Sequence, residues 1–147
     1  AALSPRNKWE RNLQDAEKLV KVYAAGGTYD DLMQLKVCTF TPGKVKAARI
    51  LTEKVTDRDA LRAILKGPKL VEFFNCILGN ESDVCIDGHA YSIWLGERVA
   101  LKDVPSIGIK LRRKIKADYQ LAAQILGVEP HVVQAITWVT WKRLHGV

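Results

Sequence analysis

The chain has 147 residues, 48% of them hydrophobic, which is enough apolar material for one domain with a buried core and too much for a disordered segment. Lys and Arg number 23 against 16 Asp and Glu, giving a formal net charge of +7, which fits a phosphate-rich partner but identifies no ligand. Since no apolar run reaches the roughly 18 residues of a membrane span and no secretory signal opens the chain, we expect a cytoplasmic protein without a membrane partner.

Helical patterns begin near the N-terminus. Ser4 and Pro5 are predicted to serve as the cap and first-turn proline of a long helix that ends before Gly26. Apolar residues recur through this segment at spacings of three and four, which predicts one buried helical face. That face consists of Trp9, Leu13, Ala16, Leu19, Val20 and Tyr23.

The rest of the chain continues the helical pattern. Thr28 is predicted to cap a short helix, Thr41–Gly43 to form a turn, and Asp57 or Thr56 to cap another short helix. Further helices are predicted over 44–52, 70–78, 111–126 and 131–144, with one more starting at Asp87. No segment is a convincing strand, because residues 84–86 are too few for an independent one. The sequence therefore predicts an all-α protein with a single domain over residues 1–147.

Cysteine, histidine and tryptophan positions favour structural roles. Cys38, Cys76 and Cys85 are odd in number and widely spaced in apolar surroundings, so we interpret them as reduced core thiols. The three histidines form no ligand pattern, and neither a metal nor another cofactor is expected. Trp138 and Trp141 are three residues apart and are predicted to pack in the core from one helical face.

One stretch carries a family resemblance. Gly67, Pro68 and Lys69 open an apolar helix, and the chain then reaches Asp87, 87 − 69 = 18 residues after the lysine, with His89 just beyond. This order resembles the helix-hairpin-helix DNA glycosylases, such as endonuclease III and the adenine glycosylases. In those enzymes a hairpin ending in Gly-x-Lys precedes a helix and then Val-Asp-x-His or Leu-Asp-Gly-Asn.

The resemblance extends upstream of the hairpin. Residues 2–7 resemble the Leu-Leu-Ser-Ala-Gln start of an endonuclease III helix, and residues 40–47 resemble the segment with Lys-Ala before the hairpin. Residues 3 to about 95 thus follow the family order, within the usual uncertainty of boundaries. Beyond them the match is to helix content, although residues 134–141 are similar to phage and actinobacterial proteins of the same layout.

The resemblance implies a two-lobed helical fold with a cleft, a hairpin at about 63–70 and a C-terminal helical part at about 100–147. It further implies a monomer that acts on double-stranded DNA, in the host cytoplasm if a phage encodes it. Lys69 falls on the family's lysine nucleophile and Asp87 on its catalytic aspartate, and we expect the two to face one cleft. The iron–sulfur cluster of many relatives is expected to be absent, because no cysteine follows Cys85.

Both catalytic candidates have an ordinary alternative. An Asp before a helix is a favoured cap, and a Lys in a first helical turn is commonly solvated. In the glycosylase interpretation, the Asp87 carboxylate stabilises the cationic sugar as the base departs. Lys69 attacks as the neutral amine to form a Schiff base, which makes a lyase step available without establishing one.

DNA contacts are expected at several places. The hairpin residues Lys66, Gly67 and Pro68 are expected to offer backbone N–H groups to a phosphate, although Leu65 replaces the first glycine of the family hairpin, so the turn must be remodelled. Arg6 and Asn7 fall where the family fills the gap left by a flipped base. The remaining DNA-binding candidates are Lys44, Lys46 and His89. The basic run from Lys110 to Lys116 is interpreted as a solvated face or a second phosphate-contacting surface.

Three functions therefore stay open. The favoured one is a DNA glycosylase that cleaves the N-glycosidic bond of a flipped base, with AP-lyase activity through Lys69 as an optional step. One alternative is a non-catalytic DNA-binding helix-hairpin-helix protein. The other is a phage enzyme that acts on hypermodified thymine bases.

Overall fold

The computed structural model describes residues 1–79 and 82–146, and the described part of the chain is all-helical. It contains eight α-helices and no strand, which confirms the predicted all-α class. None of these helices combines the length and apolar character needed to cross a membrane. The helices are α1 (Trp9–Ala24), α2 (Tyr29–Gln34), α3 (Thr41–Thr52), α4 (Arg58–Leu65), α5 (Pro68–Ile77), α6 (Gly88–Leu95), α7 (Ile109–Leu126) and α8 (Pro130–His145).

The helices divide into two compact units, with the division inside α5. Unit 1 is Ala1–Val71 and unit 2 is Glu72–Val147. Each unit has a hydrophobic core of its own, as expected of structures that bury one helical stripe against another. The core of unit 1 contains Leu3, Leu19, Leu32 and Ala48. The core of unit 2 contains Val84, Ile86, Ala90, Ile115, Tyr119, Ala123 and Val133.

The first helix buries only part of its predicted apolar face, with Ala16 and Tyr23 packed against the core around Leu19. Leu19 is buried as expected, but Trp9, Leu13 and Val20 are each about half exposed. The buried positions of α1 are Asn12, Asp15 and Leu19 instead. The prediction was wrong for Trp9, Leu13 and Val20, because the buried face of the helix includes Asp15, which accepts the Cys38 N–H.

Several predicted helix ends are confirmed. Thr28 and Asp31 form a capping box at the start of α2. Asp57 caps α4 by accepting the Ala60 N–H at 2.8 Å, and Gly127 ends α7 in the left-handed conformation.

Two other predicted starts are wrong. Lys8, not Ser4, occupies the N-cap position of α1, and the Ser4 hydroxyl donates to the Ala1 carbonyl at 2.7 Å within a turn. Thr41–Gly43 is the first turn of α3, with Pro42 in the first-turn position where a missing N–H costs nothing.

The thiols and one tryptophan are more exposed than predicted. The three cysteines are free thiols, but Cys38 is exposed and Cys76 and Cys85 are half-buried. Trp138 is 38% exposed, and the Lys142 ammonium lies 4.5 Å from its ring centroid. The core-packing prediction was therefore wrong for Cys38 and Trp138, because each faces solvent on its element.

The turn between α4 and α5 has its positive φ after Leu65. Leu65 remains helical and buried, and Lys66 takes the positive φ, at φ 50° and ψ 152°. Gly67 follows with φ 79° and accepts the Val71 N–H at 3.2 Å, which begins α5. A non-glycine residue in this region is strained by about 1–3 kcal/mol.

Candidate functional site

Asp87 caps α6 and keeps one carboxylate oxygen available. Its Oδ1 accepts the Ala90 N–H at 2.9 Å, as predicted for an Asp before a helix. Within the described residues, no hydrogen bond reaches its Oδ2, and the side chain is only partly buried. The carboxylate is thus held at one oxygen and can meet a ligand with the other.

The residues before Asp87 form an extended segment that pairs with no strand in the described part of the chain. An ion pair binds the N–H and carbonyl groups of Ile86 instead. Glu72, on α5, accepts the Ile86 N–H at 3.0 Å. Arg112, on α7, donates from Nη1 to the Ile86 carbonyl at 2.9 Å and to Glu72 Oε2 at 2.6 Å. Because buried backbone groups need partners, this pair does for Ile86 what a neighbouring strand would do.

The preceding peptide is held in the same way from α8. Gln134 accepts the Cys85 N–H through Oε1 at 2.9 Å and donates to the Cys85 carbonyl through Nε2. Two successive residues, Cys85 and Ile86, therefore have both backbone groups bound by side chains. We call Glu72, Arg112 and Gln134 the peptide clamp.

A second acid extends this network. Lys116 Nζ lies 2.6 Å from Asp83 Oδ1 and 3.0 Å from Glu72 Oε1. Burial by itself raises the pKa of Asp83, but bonds from Lys116, Asn75 and the Val84 N–H outweigh it and hold that pKa below its usual value. Burial lowers the pKa of Lys116, and its bonds to Asp83 and Glu72 outweigh this and raise it. Both groups stay charged at neutral pH.

Tyr119 stands near Asp87 in the core of unit 2. Burial raises the pKa of its hydroxyl most, and the Asp87 carboxylate raises it further, while the nearby Thr137 hydroxyl opposes the change. The Thr137 hydroxyl donates to the Val133 carbonyl at 2.8 Å, and the Tyr119 oxygen is left without a hydrogen bond of normal geometry. Tyr119 therefore keeps its proton, and its hydroxyl stays neutral beside Asp87.

The hairpin candidates lie on the surface of unit 1. Lys66, Gly67, Pro68 and Lys69 are all exposed. Lys69 is the second residue of α5, so its side chain leaves the first helical turn. An exposed helix start with basic side chains is suited to a phosphate, and the roles predicted for these four residues stay predictions.

Lys44 and Lys46 have structural partners. The Lys44 ammonium donates to the carbonyls of Met33 and Leu35 at the end of α2. The Lys46 ammonium donates to the Leu65 carbonyl at the end of α4. Cations here satisfy terminal carbonyls and complement the helix dipole, so a phosphate contact from either residue would use its remaining N–H donors.

Arg6 and Asn7 are neighbours with different surroundings. Arg6 is exposed at φ 53°, and its guanidinium lies 5.2 Å from the Phe40 ring centroid. Asn7 Nδ2 is turned inward and donates to the Leu3 carbonyl and to Asp15 Oδ2, each at 3.3 Å. Of the two, Arg6 is the exposed residue and Asn7 is half-buried. Arg6 borders an open pocket of about 230 Å³ lined by Pro5, Arg6, Val37, Cys38, Thr39 and Phe40.

The basic run on α7 separates into two faces. Arg112 and Lys116, one turn apart, bind the buried acids described above. Lys110, Arg113 and Lys114 are exposed and form no ion pair with any described acid, although Lys114 Nζ lies 5.4 Å from the Trp94 ring centroid. His89 is the second residue of α6 and is half-buried.

Sequence reasoning missed the peptide clamp. A Glu inside the apolar segment at 70–78 was a signal, because an isolated charge there requires a buried partner. The spacing of Arg112 and Lys116 was another, since residues four apart share one helical face. Nothing in the sequence pattern linked Gln134 to Cys85. Among the described residues, no group of three or more His, Cys, Asp or Glu is arranged to hold a metal ion.

Comparison with known proteins assigns the chain to a family whose function is unknown. The chain belongs to a family of unknown function, DUF7178, whose model matches residues 1–145. No curated protein and no solved structure matches the chain.

Proposed function

We propose that this protein binds duplex DNA and cleaves the N-glycosidic bond of a base flipped out of the duplex, with Asp87 as the catalytic carboxylate. The observation that carries the proposal is the position of Asp87, fixed by the α6 cap through Oδ1 and following an extended segment bound by three other side chains. A preorganised carboxylate can stabilise positive charge as it develops on the sugar. Water then adds at C1′, and the base departs with a proton.

The distribution of positive charge supports the DNA-binding part of the proposal. Lys66 and Lys69 are exposed at the turn that opens α5, and α7 presents Lys110, Arg113 and Lys114 without acidic partners among the described residues. Some other exposed cations are neutralised on their own helices, as Lys21 is by Glu17 at 2.6 Å and Arg49 by Glu53 at 2.7 Å. Exposed cations without acidic partners are the groups that contact phosphates.

The excision step is tested with Asp87→Asn, using Asp57→Asn as the matched control. Each variant neutralises an aspartate that caps a helix by accepting the N–H of the residue three positions later, Ala60 for Asp57 and Ala90 for Asp87. On duplex oligonucleotides carrying damaged or modified bases, wild-type protein is expected to leave alkali-labile sites. Asp87→Asn should lose this activity while still binding DNA, and Asp57→Asn should keep it. Equal losses in both variants would assign Asp87 a capping role alone.

The lyase step is tested separately through Lys69. Borohydride reduction should trap a covalent adduct between wild-type protein and DNA if an amine forms a Schiff base. Lys69→Gln should abolish the adduct, and Lys66→Gln, which alters the exposed lysine three residues earlier, should not. An adduct that persists in Lys69→Gln would assign the chemistry to another amine.

A non-catalytic DNA-binding protein is the second candidate, favoured by the same exposed cations if no substrate is cleaved. Duplex binding measured by fluorescence anisotropy should weaken with salt, with log affinity falling by about 0.9 per phosphate neutralised. Lys66→Gln should flatten this slope, whereas Lys21→Gln should leave it unchanged because Lys21 is paired. A change in base mass without strand cleavage would instead indicate the base-modifying alternative. Undetectable binding at low salt would refute all three.

A further inference from the structure

We propose that the peptide clamp positions Asp87 for the excision step and that Gln134 is a positioning residue; this inference rests on the proposed function. Gln134 is far from Asp87 in sequence and lies on α8, whereas Asp87 begins α6. The side-chain hydrogen bonds of Gln134 among the described residues go to Cys85 and not to Asp87. Its influence would pass through the backbone of residues 85 and 86.

The geometry of that backbone defines the direction of the Asp87 side chain. A peptide group is planar, so the Ile86 carbonyl and the Asp87 N–H lie in one plane. Arg112 fixes this plane through its 2.9 Å bond to the Ile86 carbonyl. Glu72 and Gln134 fix the two preceding peptide planes through the N–H groups of Ile86 and Cys85. Asp87 therefore starts from a backbone with little freedom to rotate.

The peptide clamp restrains backbone groups whose restraint is not required for α6 to form. An Asp cap requires only its own carboxylate and the Ala90 N–H. The clamp draws on α5, α7 and α8 to hold two residues of an extended segment that has no strand partner among the described residues. Such convergence is what a functional carboxylate needs, because its free oxygen must stay in place without a second bond.

Gln134 allows the proposal to be tested without breaking an ion pair. Gln134→Met keeps the length of the side chain and removes both bonds to the Cys85 backbone. Gln134→Asn keeps the amide but is one methylene shorter, so the amide no longer reaches the Cys85 backbone. The matched control is Gln120→Met, because Gln120 donates to the Ser82 carbonyl at 3.0 Å, at the start of the same segment. Gln120 and Gln134 thus hold one segment at different distances from Asp87.

The first measurement needs no enzymatic activity. Hydrogen exchange of the Ala90 amide reports whether Asp87 still holds its cap, because that amide donates to Asp87 Oδ1. In Gln134→Met and Gln134→Asn, the exchange of Ala90 should accelerate by about tenfold or more relative to amides in the α7 core. Gln120→Met should leave Ala90 unchanged. Unchanged Ala90 exchange in both Gln134 variants, with faster exchange at Cys85, would overturn the inference.

The second measurement tests whether the placement of Asp87 by Gln134 affects the rate of base excision. In single-turnover excision, Gln134→Met should slow the step by up to about 100-fold with DNA affinity unchanged. In an Asp87→Asn background the same substitution should add no further loss, since Gln134 acts only through Asp87. Additive losses would show a general structural role and overturn the proposal. If wild-type protein excises no base, the proposed function fails, and the Ala90 exchange still decides whether the clamp positions Asp87.

Discussion

The two units each use a buried carboxylate to bind the backbone of a segment outside the helices, but they balance the charge of that carboxylate differently. In unit 1, Asp15 accepts the Cys38 N–H at 2.8 Å, and its nearest cations, Arg11 and Lys18, are half-exposed at 3.5 and 3.8 Å. In unit 2, Glu72 accepts the Ile86 N–H and pairs at short distance with the more buried Arg112 and Lys116. Unit 2 therefore encloses a complete ion network, whereas in unit 1 the Asp15 charge is balanced from the surface.

The units also differ in where they place left-handed backbone. Besides Gly26 and Gly67, unit 1 has positive φ at three residues that are not glycine, Arg6, Lys54 and Lys66. In the described part of unit 2, every residue with positive φ is a glycine. Side chains are strained in this conformation and glycine is not, so unit 1 retains strain at basic surface residues while unit 2 avoids it. Strain at exposed cations is consistent with a binding surface in unit 1, and the enclosed network with an anchored carboxylate in unit 2.

The largest expected effect tests the difference between the two buried carboxylates. Glu72→Gln leaves Arg112 and Lys116 partly buried with one acid fewer, and should lower the free energy of unfolding by about 3–5 kcal/mol. Asp15→Asn should cost less, about 1–2 kcal/mol, because an amide can still accept the Cys38 N–H and the Asn7 amide can turn to accept from it. Urea unfolding followed by circular dichroism measures both. Equal costs would remove the distinction between the units.

A smaller effect concerns pH. The pKa of Asp83 in the folded protein lies below its usual 3.8, so its carboxylate stabilises unit 2 above that pH, and this contribution is lost as the pH falls through the folded pKa. Lys116 has a folded pKa above its usual 10.5, so its contribution is present below pH 10.5 and lost as the pH rises through the folded value. The stability contributed by Asp83 and Lys116 should thus be constant between these limits and fall outside them.

Asp83→Asn tests how much of the loss of stability at low pH comes from this network and how much from other carboxylates. It should cost about 1.5–3 kcal/mol at neutral pH, as expected for losing hydrogen bonds to a charged group, and should make the acid limb of stability against pH shallower. Asp59→Asn is the control in unit 1, because Asp59 is 91% exposed in its pair with Arg62, and it should cost about 0–1 kcal/mol. An unchanged acid limb in Asp83→Asn would mean that other carboxylates control it.

The smallest expected effect sharpens the contrast in backbone strain. Lys66→Gly should raise the free energy of unfolding by about 1 kcal/mol, because glycine adopts φ 50° without steric cost. Gly67→Ala should lower the free energy of unfolding by about 1 kcal/mol. An added Cβ at Gly67 meets no atom within 4 Å, so the cost comes only from placing alanine at φ 79°. Thermal unfolding of both variants gives the signs. A lower free energy of unfolding in Lys66→Gly would contradict the claim that Lys66 is strained in this turn.

The amino-acid sequence alone determined the helical class and many local features. Caps at Thr28, Asp57 and Asp87 and the end of α7 at Gly127 follow from interactions within a few residues, so sequence patterns predict them. The turn after Leu65 was not determined in this way, because only the structure placed the positive φ at Lys66. The functional roles of Lys69 and Asp87 remain predictions from a resemblance.

Tertiary structure alone decided which face of a helix is buried and which charges meet. Periodicity predicted that Trp9 and Leu13 are buried, but both are half exposed, and α1 buries Asp15, whose bond from the Cys38 N–H connects residues 23 apart. Likewise, Glu72 and Arg112 are 40 residues apart, and Gln134 and Cys85 are 49 apart. Contacts over such separations leave no local pattern, because they depend on how the helices pack and not on the spacing within any one of them.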